Sequence, residues 1–452
     1  MLDLFLFAFV MATLALGVKR PFIWVLAYLY IDILAPQKIG WVLMPAIPVS
    51  LIAFCAAFAG WLLTDSKRET SVSARQMLMV FLLIWCAITT GWSEFPIAAA
   101  EKWDWVWKAL VFAIFLPFTL TTRLRIEGAA LVMVLTAGAI IISAGIKTVM
   151  GGGGYDVLAL FVRDNSGIYE TSTLSTVAVA IIPLILWFTR HGTIFAPDWR
   201  VKLFCYSLVF ACLLTPVGTV ARTGLLCIAV LMVLALRDVK RRAMFVIAAG
   251  MLGIVALPFL PQSYYDRMAT IGSYDGDQSA STRVAVWSWT LDYVEENPLG
   301  GGFDAYRANR FEYRMPVRGG EGNQTSVRYE KVVDEARAYH SSFFEMLGEQ
   351  GWPGFFAWML LQAMGLIQME RIRRRWRGRS GAREQWQAPL ATSLQYAQII
   401  YLVGATFQGI AYQPFILMLI GVQIGLWTYC KRLDKPQRAR RQALPVQPAP
   451  AA

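Results

Sequence analysis

The chain holds only two histidines, and the chemistry open to it starts there. His340 stands in Ala338-Tyr339-His340-Ser341-Ser342-Phe343-Phe344, at the start of a helical stretch that leads into a long apolar run. Imidazole is the side chain whose ordinary pKa suits proton removal at neutral pH, so His340 is a candidate general base toward an acceptor hydroxyl. The alternative is a capping or packing role at the helix start. His191, in Arg190-His191-Gly192 beside a basic helix end, is read as inert. A metal site has poor support, since a lone histidine without a nearby cysteine or second histidine is not a ligand set. The six cysteines lie in or at the ends of apolar runs with no CxxC pair, which argues against a disulfide framework.

Three arginines carry more information. Arg222, in Gly218-Thr219-Val220-Ala221-Arg222-Thr223-Gly224, sits in a very tight turn between two apolar runs. Charge at that depth is costly and marks either a functional site or a guanidinium snorkelling to headgroups. Arg283 falls in the expected first turn of a helix over 281–296 capped by Ser281 or Thr282, with Val284, Trp287, Leu291 and Val294 on one face. A cation there opposes the helix dipole, so Arg283 should meet an anion or an acidic partner. Arg163, next to Asp164, is the third. Arginine forks hold phosphate oxygens in bidentate fashion, so several of them converging at a membrane surface would suit a lipid-linked phosphate or pyrophosphate. Arg307, Arg310, Arg314 and Arg318 are spaced by three and four, which predicts one helix face, either a solvated stripe or a polyanion-binding surface.

The elements that must position these residues are membrane helices. Of 452 residues, 57% are hydrophobic and 16% charged, against roughly 25% charged in a soluble globular domain. Apolar runs fall at about 3–17, 22–35, 47–64, 77–91, 106–120, 127–148, 172–189, 203–219, 222–236, 243–260, 353–369, 388–409 and 414–430. The first two are short and joined at Lys19-Arg20-Pro21, so the count is twelve or thirteen. The fold class is thus an all-α polytopic membrane protein. The start lacks the basic region of a cleavable signal peptide, so the first run is expected to stay. The net charge of +12 raises nucleic-acid binding as a possibility, but 27 of the 42 basic residues sit in short loops that alternate with basic-poor ones. Such a pattern is topology: it puts the basic loops on the cytoplasmic side and leaves the nucleic-acid reading without support. The expected organisation is helices over 1–260, a large helical non-cytoplasmic loop over 261–351 with its own fold, helices over 352–431, and a disordered tail over 432–452. The loop holds fourteen acidic and nine basic residues, the one acidic region of a basic protein. A second loop helix is predicted from Ser341 to Gly351.

Taken together, the segment Gly218–Gly224 between two spans, Ser281-Thr282-Arg283 with Trp287, Asn297-Pro298-Leu299-Gly300-Gly301-Gly302-Phe303, and His340-Ser341-Ser342-Phe343-Phe344-Glu345-Met346-Leu347-Gly348-Glu349-Gln350-Gly351 resemble the O-antigen ligase and polymerase superfamily of bacterial inner membranes. The resemblance is concentrated in residues 205–360. Where many members have His-Asn, this chain has His340-Ser341. The resemblance implies a GT-C-like membrane glycosyltransferase of the inner membrane with its active site facing the periplasm. Such an enzyme moves a glycan from undecaprenyl pyrophosphate to a sugar hydroxyl of lipid A–core oligosaccharide, with inversion and without metal or ATP. His340 would be the base, and Arg222 and Arg283, with Arg163, would hold the pyrophosphate. Other readings are a polymerase or a protein O-oligosaccharyltransferase of the same superfamily, and, outside enzymes, a flippase or transporter. The last would be expected to bury ionisable residues mid-span or to show repeats.

Overall fold

The computed structural model describes residues 2–67, 70–150, 167–259, 265, 278–319, 326–379, 381 and 385–442. The apolar runs form helices: α1 (Leu2–Lys19), α2 (Phe22–Leu34), the one-turn α3 (Pro36–Ile39) and α4 (Leu43–Ala46), α5 (Val49–Thr64), α6 (Ala74–Thr90), α7 (Pro96–Thr119) and α8 (Arg123–Met150). They continue with α9 (Thr171–His191), α10 (Trp199–Gly218), α11 (Arg222–Ala235), α12 (Arg242–Ala256), α13 (Gln278–Glu296), α14 (Ser342–Trp376), α15 (Gln387–Ala405) and α16 (Pro414–Gln442). By length and composition, α1, α8, α9, α10 and the Pro414–Asp434 part of α16 can each cross a membrane; α2, α5, α6 and α11 are shorter apolar helices. The protein is a helical, polytopic membrane protein.

The core forms around α9, which is buried along nearly its whole length and packs on α10, α11 and α15. In contrast, α10 and α12 leave Leu203, Phe210, Val246 and Ile254 exposed, as lipid-facing helices do. α14 changes direction at Gly351, whose φ of +61° only glycine adopts without strain.

The segment after α12 differs from expectation in three ways. It is not wholly helical: β1 (Arg310–Gly319) and β2 (Ser326–Glu335) pair antiparallel in register from Arg310 opposite Glu335 to Gly319 opposite Ser326. Arg310, Arg314 and Arg318 therefore lie on a strand and share no helix face. α13 starts at Gln278, so Arg283 lies beyond the first turn and its charge is not set against the dipole. The buried side of α13 carries Val286, Thr290 and Val294, while Val284 and Leu291 are exposed. The last helix continues to Gln442, beyond the expected boundary at 431.

Candidate active site

Backbone hydrogen bonds splice the glycine-rich stretch after α13 into the break in α14. The amides of Gly301 and Gly302 donate to the carbonyls of Gly348 and Glu349 at 3.0 and 2.9 Å, and Trp352 N–H donates to Pro298 O at 3.0 Å. The two chains touch backbone to backbone: a Cβ on Gly351 would lie 2.3 Å from the Leu299 carbonyl carbon. Trp92 and Trp85 in or just after α6 donate from their indoles to Gly300 O and Gln350 O, which ties the splice to the bundle. Asp304 and Glu349 are thereby brought together, and Asp304 N–H donates to Glu349 Oε1 at 3.0 Å.

His340 is held from both sides. Upstream, the buried side chain of Asn309 closes the hairpin base, donating to Arg337 O at 2.7 Å and accepting from Arg337 N at 2.9 Å. Trp287 of α13 donates to Tyr339 O at 2.9 Å and stacks on Phe344 at 5.0 Å. Downstream, Ser342 Oγ donates to Gln408 O and accepts from Ile410 N, which anchors the helix start to the α15–α16 turn. His340 itself adopts φ +45°, a conformation that costs an L residue on the order of 1–3 kcal/mol and persists only where surroundings impose it.

His340 opens onto a cavity of about 540 Å³ that Glu101, Lys102, Glu170, Asp304, Tyr339, Glu345 and Glu349 also line. Lys102 of α7 is its centre: its Nζ lies 2.7 Å from Glu349 Oε1, 2.9 Å from Glu345 Oε1 and 3.7 Å from Asp304 Oδ1. Three carboxylates around one ammonium leave an excess of negative charge in a buried place. Burial pushes Glu349 above the usual carboxylate range, with Lys102 opposing. The His340 imidazole moves the other way: desolvation, then the cations Arg283 and Arg337, lower its pKa. That shift favours the neutral form, the one a base needs.

The three predicted arginines fare differently. Arg283 is close enough to His340 for its charge to be felt there, and it also opposes the burial that raises Glu170. Arg222 opens α11 after a turn in which Val220 takes φ +51°. That turn packs on the first turn of α9, where the Thr219 and Ser175 hydroxyls are 2.6 Å apart. The same end of α9 accepts from Gln408, through Ser172 O and Thr176 Oγ1, so this end of the helix touches both the Arg222 turn and the turn that anchors Ser342. Neither arginine lines the cavity. Arg163 lies outside the described residues. His191 is at the other end of α9, in a crevice with Arg190, Trp376 and Arg377.

The cluster of Lys102 with Asp304, Glu345 and Glu349 was missed by sequence reasoning. Its one visible sign is the i, i+4 pair Glu345 and Glu349 on the helix that follows His340.

Comparison with known proteins gives two family matches that divide the chain. Residues 1–193 match a family of unknown function (DUF5935), which takes in Lys102 and Glu170. Residues 207–359 match the O-antigen ligase family and contain Arg222, Arg283 and His340. The chain is also similar to the exopolysaccharide production protein ExoQ of Rhizobium meliloti (strain 1021), at 22% identity over 331 residues, covering 71% of this chain and 70% of that protein. The 207–359 match coincides with the interval that carries the sequence motifs, and it supports the resemblance of that interval to the O-antigen ligase superfamily.

Proposed function

We propose that the protein is a membrane glycosyltransferase that moves a glycan from undecaprenyl pyrophosphate to a sugar hydroxyl at the His340 end of the bundle, the periplasmic face. The observation that carries this reading is an imidazole, held in a strained backbone conformation, opening onto a cavity with the Arg283 charge near enough to lower its pKa. In this reaction the acceptor hydroxyl gives its proton to His340 as its oxygen bonds to the anomeric carbon, and the anomeric C–O bond to pyrophosphate breaks. Negative charge grows on the leaving pyrophosphate. Arg283 and Arg222 are the cations assigned to stabilise it, the kind of interaction that is strongest in a site shielded from water. Arg163 is proposed as a further phosphate contact from the motif reading alone. One displacement of this kind inverts the anomeric centre. The architecture is proposed to be GT-C-like, with twelve or thirteen spans.

The acceptor we infer from the superfamily is lipid A–core oligosaccharide. A second reading is favoured by the name of the relative: exopolysaccharide production fits a polymerase whose acceptor is another lipid-linked glycan. The test is a reconstitution of the purified full chain with lipid-linked glycan and lipid A–core. Joined product that disappears with His340→Ala, in a variant that still folds in the membrane, supports the ligase reading. Lengthened lipid-linked glycan favours the polymerase, and transfer retained by His340→Ala removes the base assignment.

A further inference from the structure

The cavity beside His340 has a charge opposite to that expected of a pyrophosphate site. Glu101, Glu170, Asp304, Glu345 and Glu349 line it against one lysine, Lys102, and both Arg222 and Arg283 stand off its wall. A phosphorylated group entering it meets like charge in a partly enclosed space. Two of the lining residues carry buried polar atoms with no hydrogen-bond partner among the described residues, Glu349 Oε2 and Tyr339 Oη. Both residues are closely enclosed, at 0% and 3% exposed. A sugar hydroxyl both donates and accepts, so it can pair with a group of either kind, whereas the excess of carboxylates repels a phosphate.

We propose that this cavity is the acceptor-sugar subsite and that it selects sugars with hydroxyls and no negative charge, leaving the donor pyrophosphate to the arginine side of His340. The inference rests on the reading of His340 as the base that receives the acceptor's proton. Lys102 then serves two ends: it holds the carboxylates in place and limits their combined charge, so the wall presents acceptor oxygens without collapsing. Asp304, held by Glu349 Oε1 through its backbone N–H, and Glu345, which accepts from Ala411 N at 3.0 Å, are fixed in the same way. Charge at the sugar residue that reacts, and not the size of the glycan behind it, is the feature this wall discriminates.

The test is binding, measured by saturation-transfer NMR on the full chain in nanodiscs with three probes: a neutral methyl hexoside, its 6-phosphate and the corresponding hexuronide. Saturable transfer to the neutral glycoside is expected, with the charged forms roughly tenfold weaker or more. Glu101→Gln should strengthen binding of the 6-phosphate and narrow that gap. Equal binding of all three probes, or no saturable binding of the neutral one, overturns the proposal. Because this readout needs no turnover, it separates the two readings: His340→Ala that still transfers glycan ends the base assignment, while the neutral probe reports on the subsite by itself.

Discussion

The proposed base, His340, must act unprotonated, and its surroundings favour that form. Desolvation and the cations Arg283 and Arg337 lower the imidazole from its ordinary value of 6.5, so the neutral fraction is high above that pH and is lost as pH falls through the lowered value. Transfer rate should therefore be flat above neutrality and decline on an acidic limb whose midpoint lies below 6.5. Arg337→Gln, which removes one half-exposed cation, should move that limb to higher pH by a few tenths of a unit; an unmoved limb would detach it from His340. Lys102 is the opposite kind of residue, a charge whose removal is felt by its neighbours. Lys102→Met leaves Glu349, fully buried, and Glu345 without their cation and should cost about 3 kcal/mol or more, read as a fall in Tm of the detergent-solubilised protein. His340 was legible in the sequence because histidine is scarce in this chain and this one precedes an apolar run. Lys102 was not, because it sits in a polar-looking interval more than two hundred residues from the acids it joins, and one chain position gives no sign of that meeting.

Helices were the readable elements, since a bilayer core imposes long apolar runs that leave little freedom in placing their ends. The run expected at 172–189 is α9 (Thr171–His191), and the one at 222–236 is α11 (Arg222–Ala235). The hairpin was unreadable for a definite reason: arginines at 310, 314 and 318 recur every four residues, a spacing that fits a helix turn and twice the strand repeat equally well. The meeting of Gly300 with Gly351 also escaped notice, because close backbone approach has no side-chain pattern. Gly351→Ala should destabilise by at least about 2 kcal/mol through positive φ and the clash with Leu299, and should weaken transfer by shifting Glu349; a variant with wild-type Tm would contradict the splice. Within the bundle, Arg75 of α6 is wholly buried, pairs with no carboxylate among the described residues, and donates to Gln423 Oε1 at 2.8 Å in a network with Gln398 and Gln362. Gln423→Leu should cost about 3 kcal/mol by stranding the guanidinium, and adding Arg75→Met should restore most of it. A double variant no more stable than Gln423→Leu alone would mean the guanidinium is not what the glutamine serves.

The molecule as a whole is polar from end to end. His340, Glu170 and the start of α14 gather around one cavity, whereas His191 and the C-terminal end of α14, with Arg373, Arg377 and Arg379, gather around another at the far end of the same helices. This division agrees with the sequence pattern in which the basic loops alternate with basic-poor ones. Since the chain has one imidazole at each end, a membrane-impermeant reagent selective for histidine would label the two in a manner set by insertion alone. In sealed spheroplasts we expect His340 to be modified and His191 to stay intact, and in inverted vesicles the pattern should reverse. Mass spectrometry of two peptides would then give the protein's orientation without any engineered tag or reporter fusion.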